Sequence, residues 1–393
     1  MRRRDFFKAL PAVPLMPAAA ADDFSNRLKG LPPLTIKDVK VITTNGGRGY
    51  RWVFLKIITS EAGLYGIGSA NDNFQTLAVA SALEKHLKPW LIGKDPDRIE
   101  DLWQSANFRT YWRGGPVNNK VIGAMDEALW DIKGKRGGMP VYEMLGGRAH
   151  DAVACYDHVS GRTKEQAADA VAKSMESGYR HIRLQYGEGG YGGGGFIRAN
   201  EGNRAEGGYQ GQAFDEDLYV ETIPPVFEYV RSKVGFAPKL LHDVHSHLSG
   251  SNALLFSKKM EPYHLYFIED LLPPEQVAWY KEVRKVCATP QAVGEVFSNP
   301  AEYYPLITER IINFIRTRVT AIGGITPVRP SVIVSSIFSG LPPCSQSRSV
   351  KSGKPLLPRA SEPWQVAQLL MNSRCPIAIA RPSWLRASAG RLS

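Results

Sequence analysis

The chain has 393 residues, 43% of them hydrophobic, which is ordinary for a globular protein of more than one domain. Its formal net charge of +11 is concentrated at the two ends: residues 1–21 carry +3 and residues 330–393 carry +7, leaving about +1 for residues 22–329. The central part therefore has no basic stripe of the kind that binds phosphate backbones, and the composition excludes nucleic acid as a partner.

Residues 1–21 are typical of an export signal. The pattern Arg3-Arg4-Asp5-Phe6-Phe7-Lys8 is followed by a weakly apolar stretch and by Ala19-Ala20-Ala21. We expect twin-arginine export to the periplasm; the alternative is a plain basic N-terminus on a cytoplasmic protein. No other stretch is long and apolar enough to cross a bilayer, so no membrane association is expected. Four cysteines are too few for a disulfide framework.

Residues 30–150 predict a small α+β domain. Residues 34–44 and 51–59 alternate or run apolar around a turn at Asn45-Gly46-Gly47, and residues 63–68 close a β-meander. Residues 76–147 are predicted to be helical. The prediction is strongest over Val121–Lys135, where apolar residues recur at helical spacing.

Between residues 151 and 329 strands and helices alternate, which predicts a β/α barrel of seven or eight units of the TIM type, with the α+β domain as its cap. Helices are expected over Lys164–Gly178 and Asp215–Val234. A polar, Gly-rich insertion from 187 to 214 is expected to form a loop over the barrel mouth. Six strands are predicted, over Val153–Asp157, His181–Gln185, Lys239–His245, Leu265–Asp270, Ala292–Phe297 and Phe314–Val319.

Residues 330–393 differ from both domains. They contain 13 serines and a single acid, Glu362, with Pro and Arg scattered without a period. A strand, a helix and a second strand can be drawn over Val332–Phe338, Trp364–Met371 and Pro376–Ala380, but neither strand ends in an acid, an Asn or a His. We interpret this segment as divergent or as the product of a shifted reading frame, so that the barrel is altered or incomplete at strands seven and eight.

Three acidic residues end successive apolar runs at a constant spacing. Asp243, Glu269 and Glu295 are 26 residues apart, about one strand, one helix and two short loops. Because strand ends in repeated β-α units meet on one rim, these side chains are expected to converge. Three carboxylates repel one another, so the arrangement favours a hard divalent cation between them. Each acid taken alone would more often be a salt-bridge partner or a helix cap, and it is the regular spacing of all three that favours the metal site.

A histidine follows the first of these acids by two residues. In a strand, His245 would share a face with Asp243, where an imidazole can move a proton near neutral pH. The alternative is a hydrogen-bonded strand histidine. His245-Ser246-His247 also partly fits the two-histidine motif of an amidohydrolase barrel, but later strands supply too few histidines. The match of residues 187–192 to a G-x-G-x-x-G dinucleotide motif lacks the required helix, so a flexible lid is favoured.

Over residues 34–329 the chain resembles the enolase superfamily. The resemblance rests on Gly63–Gly68, Ala124–Lys135 and Pro140–Gly147 in the cap, and on the three acids, with Glu269-Asp270 and Gly294-Glu295, in the barrel. Within the superfamily it looks most like the mannonate dehydratase branch, which includes the starvation-sensing proteins. The marks of that branch are His245, an Arg in Ile182-Arg183-Leu184-Gln185 where racemase branches carry Lys-x-Lys, and Arg316 followed by Ile322–Pro327.

The resemblance implies a dehydratase of sugar acids that requires Mg²⁺. Such an enzyme removes the proton α to a carboxylate and eliminates the 3-hydroxyl. The implied metal ligands are Asp243, Glu269 and Glu295, of which Glu295 also faces the substrate. It also implies a symmetric homo-oligomer.

The resemblance also assigns roles to other residues. Tyr191 paired with Arg183 would take the proton, since a nearby cation favours the phenolate, and Tyr186 is an alternative to Tyr191. His245 would protonate the departing hydroxyl. The substrate-binding positions would be occupied by Asn73, His158 and Arg316.

Two features of the branch are missing from the tail. The branch carries a His-Gly-Pro-Gly-Asp stretch on the seventh strand and a Glu on the eighth, whereas this chain has no histidine after His264. We therefore expect weak or absent activity. The competing hypothesis is a non-catalytic relative that binds a metal ion or a sugar acid without turnover.

Overall fold

The structure is a computed structural model that describes residues 32–45, 51–71, 75–109, 111–148, 152–187, 196–197, 213–329 and 371–372. The predicted signal segment, Asn73, Tyr191 and nearly all of the tail lie outside these residues. Within the described part of the chain, no helix combines the length and apolarity needed to cross a membrane.

The N-terminal unit pairs a three-stranded antiparallel sheet with a group of helices, as predicted. The strands are β1 (Ile36–Asn45), β2 (Arg51–Thr59) and β3 (Tyr65–Ser69), in that spatial order. The predicted helical region is divided into α1 (Thr76–Ala82), a π-helix (Leu83–Leu87), α2 (Lys88–Leu91), α3 (Ile99–Phe108), α4 (Pro116–Arg136) and α5 (Val141–Met144). Glycines with positive φ, Gly93, Gly115 and Gly138, mark the breaks, because such backbone cannot continue a right-handed helix.

Two glycines bring β3 against α4. A Cβ on Gly66 would overlap the carbonyl oxygen of Ala128, and a Cβ on Gly68 would overlap that of Ala124. Gly66 and Gly68 are two residues apart and so share one strand face. The backbones of strand and helix thus meet directly, which explains why both positions are glycine.

The C-terminal unit is built on a parallel sheet whose neighbouring strands follow chain order, as in a β/α barrel. Six parallel strands are described: β4 (Tyr156–Gly161), β5 (His181–Tyr186), β8 (Lys239–Asp243), β9 (Phe267–Glu269), β10 (Gln291–Val293) and β11 (Phe314–Ile315). Between β5 and β8, the short strands β6 (Phe196–Ile197) and β7 (Ala213–Phe214) pair with each other. From the tail, β12 (Met371–Asn372) pairs antiparallel with β11.

Several predicted strand limits were wrong. The first barrel strand begins at Tyr156, three residues later than predicted, so His158 lies inside it. The later strands end early, at Asp243, Glu269, Val293 and Ile315. The helix drawn over Trp364–Met371 is wrong at its last residue, since Met371 is in β12.

Helices cover the outer face of the sheet. They are α6 (Lys164–Glu176), α7 (Glu216–Val234), α8 (Gly250–Met260), a 3₁₀ turn (Glu261–Tyr263), α9 (Val277–Val286) and α10 (Pro300–Thr308). The short helix α11 (Val319–Ile322) follows β11 and lies against the cap helix α4. Thr163 and Asp215 cap α6 and α7 by accepting hydrogen bonds from Gln166 N and Leu218 N. The large core lies between sheet and helices, and a smaller cluster of Leu241, Phe267, Ala292 and Phe314 fills the barrel interior.

The cap helix α4 docks on the segment that follows β11. The buried carboxylate of Asp126 accepts hydrogen bonds from Thr326 N at 2.9 Å and from Thr326 Oγ1 at 2.5 Å. Its neighbour Glu127 accepts from Ser69 N at 2.9 Å and lies 3.5 Å from Thr320 Oγ1. Burial raises the pKa of Glu127 to about 7. The cap therefore holds in place the backbone just after Arg316.

Candidate active site

Two of the predicted acids lie side by side on the rim of the sheet. Asp243 ends β8 and Glu269 ends β9, and the two residues are direct partners in the parallel pairing of these strands. Both side chains are fully buried. The spacing of 26 residues therefore converges, as predicted, for this pair.

The third carboxylate near them belongs to Asp270. Ligand oxygens of Asp243, Glu269 and Asp270 all lie within 4.8 Å of one another. Successive strand residues normally point to opposite faces, but Asp270 has a φ of 41° and turns back toward the rim. Its Oδ1 accepts a hydrogen bond from Gly294 N at 2.8 Å, which ties it to the next strand end.

Glu295 lies outside this cluster within the described part of the chain. Gly294, with a φ of 141°, separates it from β10. Its carboxylate contacts Arg316 Nη1, and Arg318 Nη1 lies at 3.5 Å. Burial alone would raise the pKa of Glu295, but these two guanidinium groups lower it to about 2. The assignment of Glu295 as a metal ligand stays a prediction.

Two arginines lie among the acids. Arg183 Nη1 is 2.5 Å from Asp243 Oδ2 and 3.3 Å from Glu269 Oε1. Arg316 Nε is 2.5 Å from the same Glu269 oxygen, and its Nη1 is 3.7 Å from Asp270 Oδ2. Burial would lower the pKa of each guanidinium, yet the surrounding carboxylates raise the pKa of both above the ordinary value.

His245 reaches the site by a turn and not by strand alternation. The strand predicted through His245 ends at Asp243, because Asp243 Oδ1 accepts a hydrogen bond from His245 N at 2.8 Å and His245 has a φ of 53°. The ring nonetheless lies beside the acid, with Nε2 at 3.1 Å from Asp243 Oδ2. Burial, and then the charge of Arg183, lower the pKa of His245 to about 4, so it is neutral at pH 7.

His158 and Tyr156 line the same side of the barrel mouth. His158 Nδ1 lies 3.2 Å from Arg183 Nη2; because arginine only donates, Nδ1 accepts. Burial and then Arg183 lower the pKa of His158 to about 3. The Tyr156 ring stacks on His158, and its hydroxyl donates to Glu269 Oε2 at 3.3 Å.

The assignment of Tyr191 as the base beside Arg183 stays a prediction. Tyr191 and Asn73 lie outside the described residues. The alternative, Tyr186, packs against the core under the outer helices. It is three residues after Arg183 on β5, and so faces away from the barrel interior.

Sequence reasoning missed Asp270 and Gln185. Gln185 Nε2 donates to the Asp243 carbonyl oxygen at 2.8 Å. The signal for Gln185 was available, because it stands two residues after Arg183 on one strand and so shares its face. The signal for Asp270 was not, because its position depends on a positive φ in a residue other than glycine.

The donor set suits a hard cation. Four acids, Asp243, Glu269, Asp270 and Glu295, face three guanidinium groups. Burial raises the pKa of Glu269 to about 7 and that of Asp270 well above its usual range, because their negative charge is poorly solvated. Carboxylate oxygens are the ligands that Mg²⁺ prefers, and a divalent ion would relieve this excess charge.

The parallel β/α unit carries acids on successive strand ends and is covered by the N-terminal α+β unit. Two family models match these two parts of the chain. Residues 35–146 match the family model "Mandelate racemase / muconate lactonizing enzyme, N-terminal domain", and residues 165–333 match "Enolase C-terminal domain-like". These matches place the chain in a fold class of a capping domain and an α/β barrel, as predicted.

Two individual relatives show to which family within this fold class the chain belongs. The chain is 46% identical over 288 residues to a D-galactonate dehydratase family member of Paenibacillus sp. (strain JDR-2), covering 73% of this chain and 70% of the relative. It is 43% identical over 317 residues to the family member RspA of Pantoea ananatis, covering 77% and 75%. The chain therefore belongs to the D-galactonate dehydratase family of the enolase superfamily, which confirms the predicted resemblance to a sugar-acid dehydratase branch.

Two solved structures of relatives have a similar fold. An enolase from Pantoea ananatis, determined with bound D-gluconate and Mg, is 42% identical with a TM-score of 0.71, over 77% of this chain and 75% of that one. A putative dehydratase from Zymomonas mobilis is 26% identical with a TM-score of 0.65, over 77% and 78%.

Proposed function

We propose that this protein is a Mg²⁺-dependent dehydratase of aldonic acids of the mannonate type. The observation that carries the proposal is the meeting of Asp243, Glu269 and Asp270 oxygens within 4.8 Å on the rim where Arg183, Arg316 and His245 also lie. The family's dehydratase members and a relative holding D-gluconate and Mg support it.

The cluster acids, with Glu295 as the predicted further ligand, would hold the Mg²⁺ ion. When bound, Mg²⁺ supplies positive charge that stabilises negative charge developing on a substrate carboxylate. Arg316 and Arg183 keep fixed positive charge beside the same place, which favours an anionic substrate. His158, neutral and exposed at the barrel mouth, offers an imidazole for hydrogen bonds to sugar hydroxyls.

His245 is placed to exchange a proton with the substrate. Its Nε2 is the ring atom nearest the carboxylate cluster, at 3.1 Å from Asp243 Oδ2. With a pKa of about 4 it is neutral at pH 7 and must acquire a proton before it can protonate a leaving hydroxyl. An anionic substrate beside the ring would favour the imidazolium and so raise this pKa.

We further propose that the altered tail weakens turnover. The family match ends at residue 333, and the tail has no histidine and a single acid, Glu362, where the branch carries a His-Gly-Pro-Gly-Asp stretch and a Glu on its last two strands. Export through the twin-arginine signal and assembly into a homo-oligomer are parts of the same proposal that rest on the sequence and its resemblance alone.

A tail replacement tests the function. Purified chain, and a chimera carrying the Pantoea ananatis relative's segment in place of residues 330–393, would be incubated with Mg²⁺ and a panel of aldonates that includes D-mannonate and D-gluconate. We expect dehydration by the chimera, little by the chain itself, and none by a D243N chimera as matched control. A folded chimera that dehydrates no aldonate would overturn the proposal.

The rival function is a non-catalytic binding protein, favoured by the missing tail residues. Mg²⁺-dependent thermal stabilisation of the chimera without dehydration of any aldonate would support it. Robust turnover by the original chain would instead refute the proposed effect of the tail.

A further inference from the structure

Gln185 bridges β5 and the turn that carries His245. The side chain is 6% exposed. Its amide nitrogen lies 2.8 Å from the carbonyl oxygen of Asp243 and 3.3 Å from Nδ1 of His245. One side-chain group thus contacts both the strand end that presents Asp243 and the ring beside it.

The chemistry of these contacts fixes the orientation of the amide. A backbone carbonyl only accepts hydrogen bonds, so the Gln185 atom that faces Asp243 O must be the nitrogen. The nitrogen carries a second hydrogen, which is directed toward Nδ1 of His245. That ring nitrogen must therefore act as an acceptor.

A neutral imidazole has one donor nitrogen and one acceptor nitrogen. If Nδ1 of His245 accepts, the proton is on Nε2. Nε2 lies 3.1 Å from Asp243 Oδ2, a carboxylate oxygen that accepts. The contacts on the two sides of the ring therefore select the same tautomer independently.

A neighbouring histidine holds the opposite tautomer. His242 Nδ1 is 2.8 Å from the carbonyl oxygen of Leu184 and must donate to it. Its Nε2 then accepts from the hydroxyl of Tyr219 at 2.6 Å. His242 is buried and faces the outer helices, so it provides an internal reference for His245.

We propose that Gln185 is a positioning residue that holds His245 as the Nε2–H tautomer, with Nε2 directed at the carboxylate cluster. The tautomer follows from the contacts alone, whereas its consequence for turnover rests on the proposed dehydratase function. In that reaction the geometry makes Nε2 the atom that exchanges a proton with the substrate.

Nitrogen-15 NMR of histidine-labelled full-length chain tests the tautomer without any assay of activity. Spectra with and without Mg²⁺ would be assigned by the signals lost in H245N and H242N variants. We expect His245 to be protonated on Nε2 and His242 on Nδ1. A His245 protonated on Nδ1 in the parent protein overturns the proposal.

Three substitutions separate positioning from packing. Q185M keeps the side chain's bulk but removes both donors, and should increase the Nδ1–H fraction of His245 about fivefold. Q185E keeps the shape but can only accept toward Nδ1, so with Asp243 accepting at Nε2 it should favour the imidazolium, protonated on both nitrogens. The control is Q291M, because Gln291 is also a buried strand glutamine, and its side chain donates to Thr289 O away from the rim. Unchanged His245 signals in folded Q185M or Q185E contradict the role.

Kinetics give a second readout in the tail-replaced chimera. We expect Q185M to lower kcat about tenfold with KM changed less than about threefold, since a misdirected ring slows proton exchange more than it weakens binding. A fall in kcat that Q291M reproduces would assign Gln185 a general structural role. A chimera that turns over no aldonate refutes the proposed function and leaves the NMR result standing.

Discussion

Replacing Arg183 by Met is the sharpest test of whether this site is built around a cation. Arg183 Nη1 lies 2.5 Å from Asp243 and 3.3 Å from Glu269, and both carboxylates are fully buried. Removing one partner of a buried ion pair costs about 3–5 kcal/mol, because the remaining charge is left uncompensated. Arg316 still faces Glu269, so the loss should be near the lower limit, about 3 kcal/mol.

Urea denaturation in EDTA and in Mg²⁺ measures this loss and its recovery. We expect Mg²⁺ to restore most of the stability of R183M, since the cation replaces the missing positive charge. A concentration of 100 times Kd contributes about 2.7 kcal/mol by mass action. The control is R231M: Arg231 is also buried, but its described hydrogen bonds go to backbone carbonyl oxygens, including that of Tyr263, so Mg²⁺ should not rescue it. Equal rescue of both variants, or a fully stable R183M in EDTA, would show that the reasoning is wrong.

Four further predictions concern two proposed ligands, the cap and the signal. D243N should abolish the Mg²⁺-dependent rise in the thermal midpoint. In a Mg²⁺ titration, E295Q should weaken the affinity for Mg²⁺ at least about tenfold if Glu295 is a ligand. An E295Q variant that binds Mg²⁺ as tightly as wild type would show that Glu295 is not a ligand. Burial raises the pKa of Glu127 from 4.5 to about 7, so the folded state binds the proton more tightly. Wild type should therefore lose up to about 3 kcal/mol relative to E127Q between pH 4.5 and 7, measured by urea unfolding; a constant difference would contradict this. Changing Arg3 and Arg4 to Lys keeps the charge and should abolish export, seen as loss of the periplasmic fraction, and undiminished export would reject the signal.

The parts of the site that the sequence predicted are those set by repetition. A strand, a helix and two loops bring each strand end back to the same rim, so the spacing of Asp243 and Glu269 was enough to place them together. Arg183 was named from the family resemblance and not from repetition, and the structure places it on β5 beside Asp243.

The positions of the other site residues depend on backbone turns and on competing charges. Asp270 and His245 reach the rim only because their φ angles are positive, which residue type does not specify for an Asp or a His. Glu295 keeps the predicted spacing, but its position reflects attraction to Arg316 and Arg318, which lie on a different strand end and segment. Such pairings become visible only when the strands are placed side by side.

The close approach of Gly66 and Gly68 to α4 has an effect at a distance. A single methyl group at either glycine would lift or tilt the helix, because the opposing atoms are rigid carbonyl oxygens with no rotamer to change. The far side of that helix carries Asp126, whose hydrogen bonds to Thr326 hold the chain beyond Arg316. An alanine at either glycine would face the helix and would therefore misalign a guanidinium on the barrel rim, and a screen for impaired variants should recover Gly66 and Gly68 alongside the acids themselves.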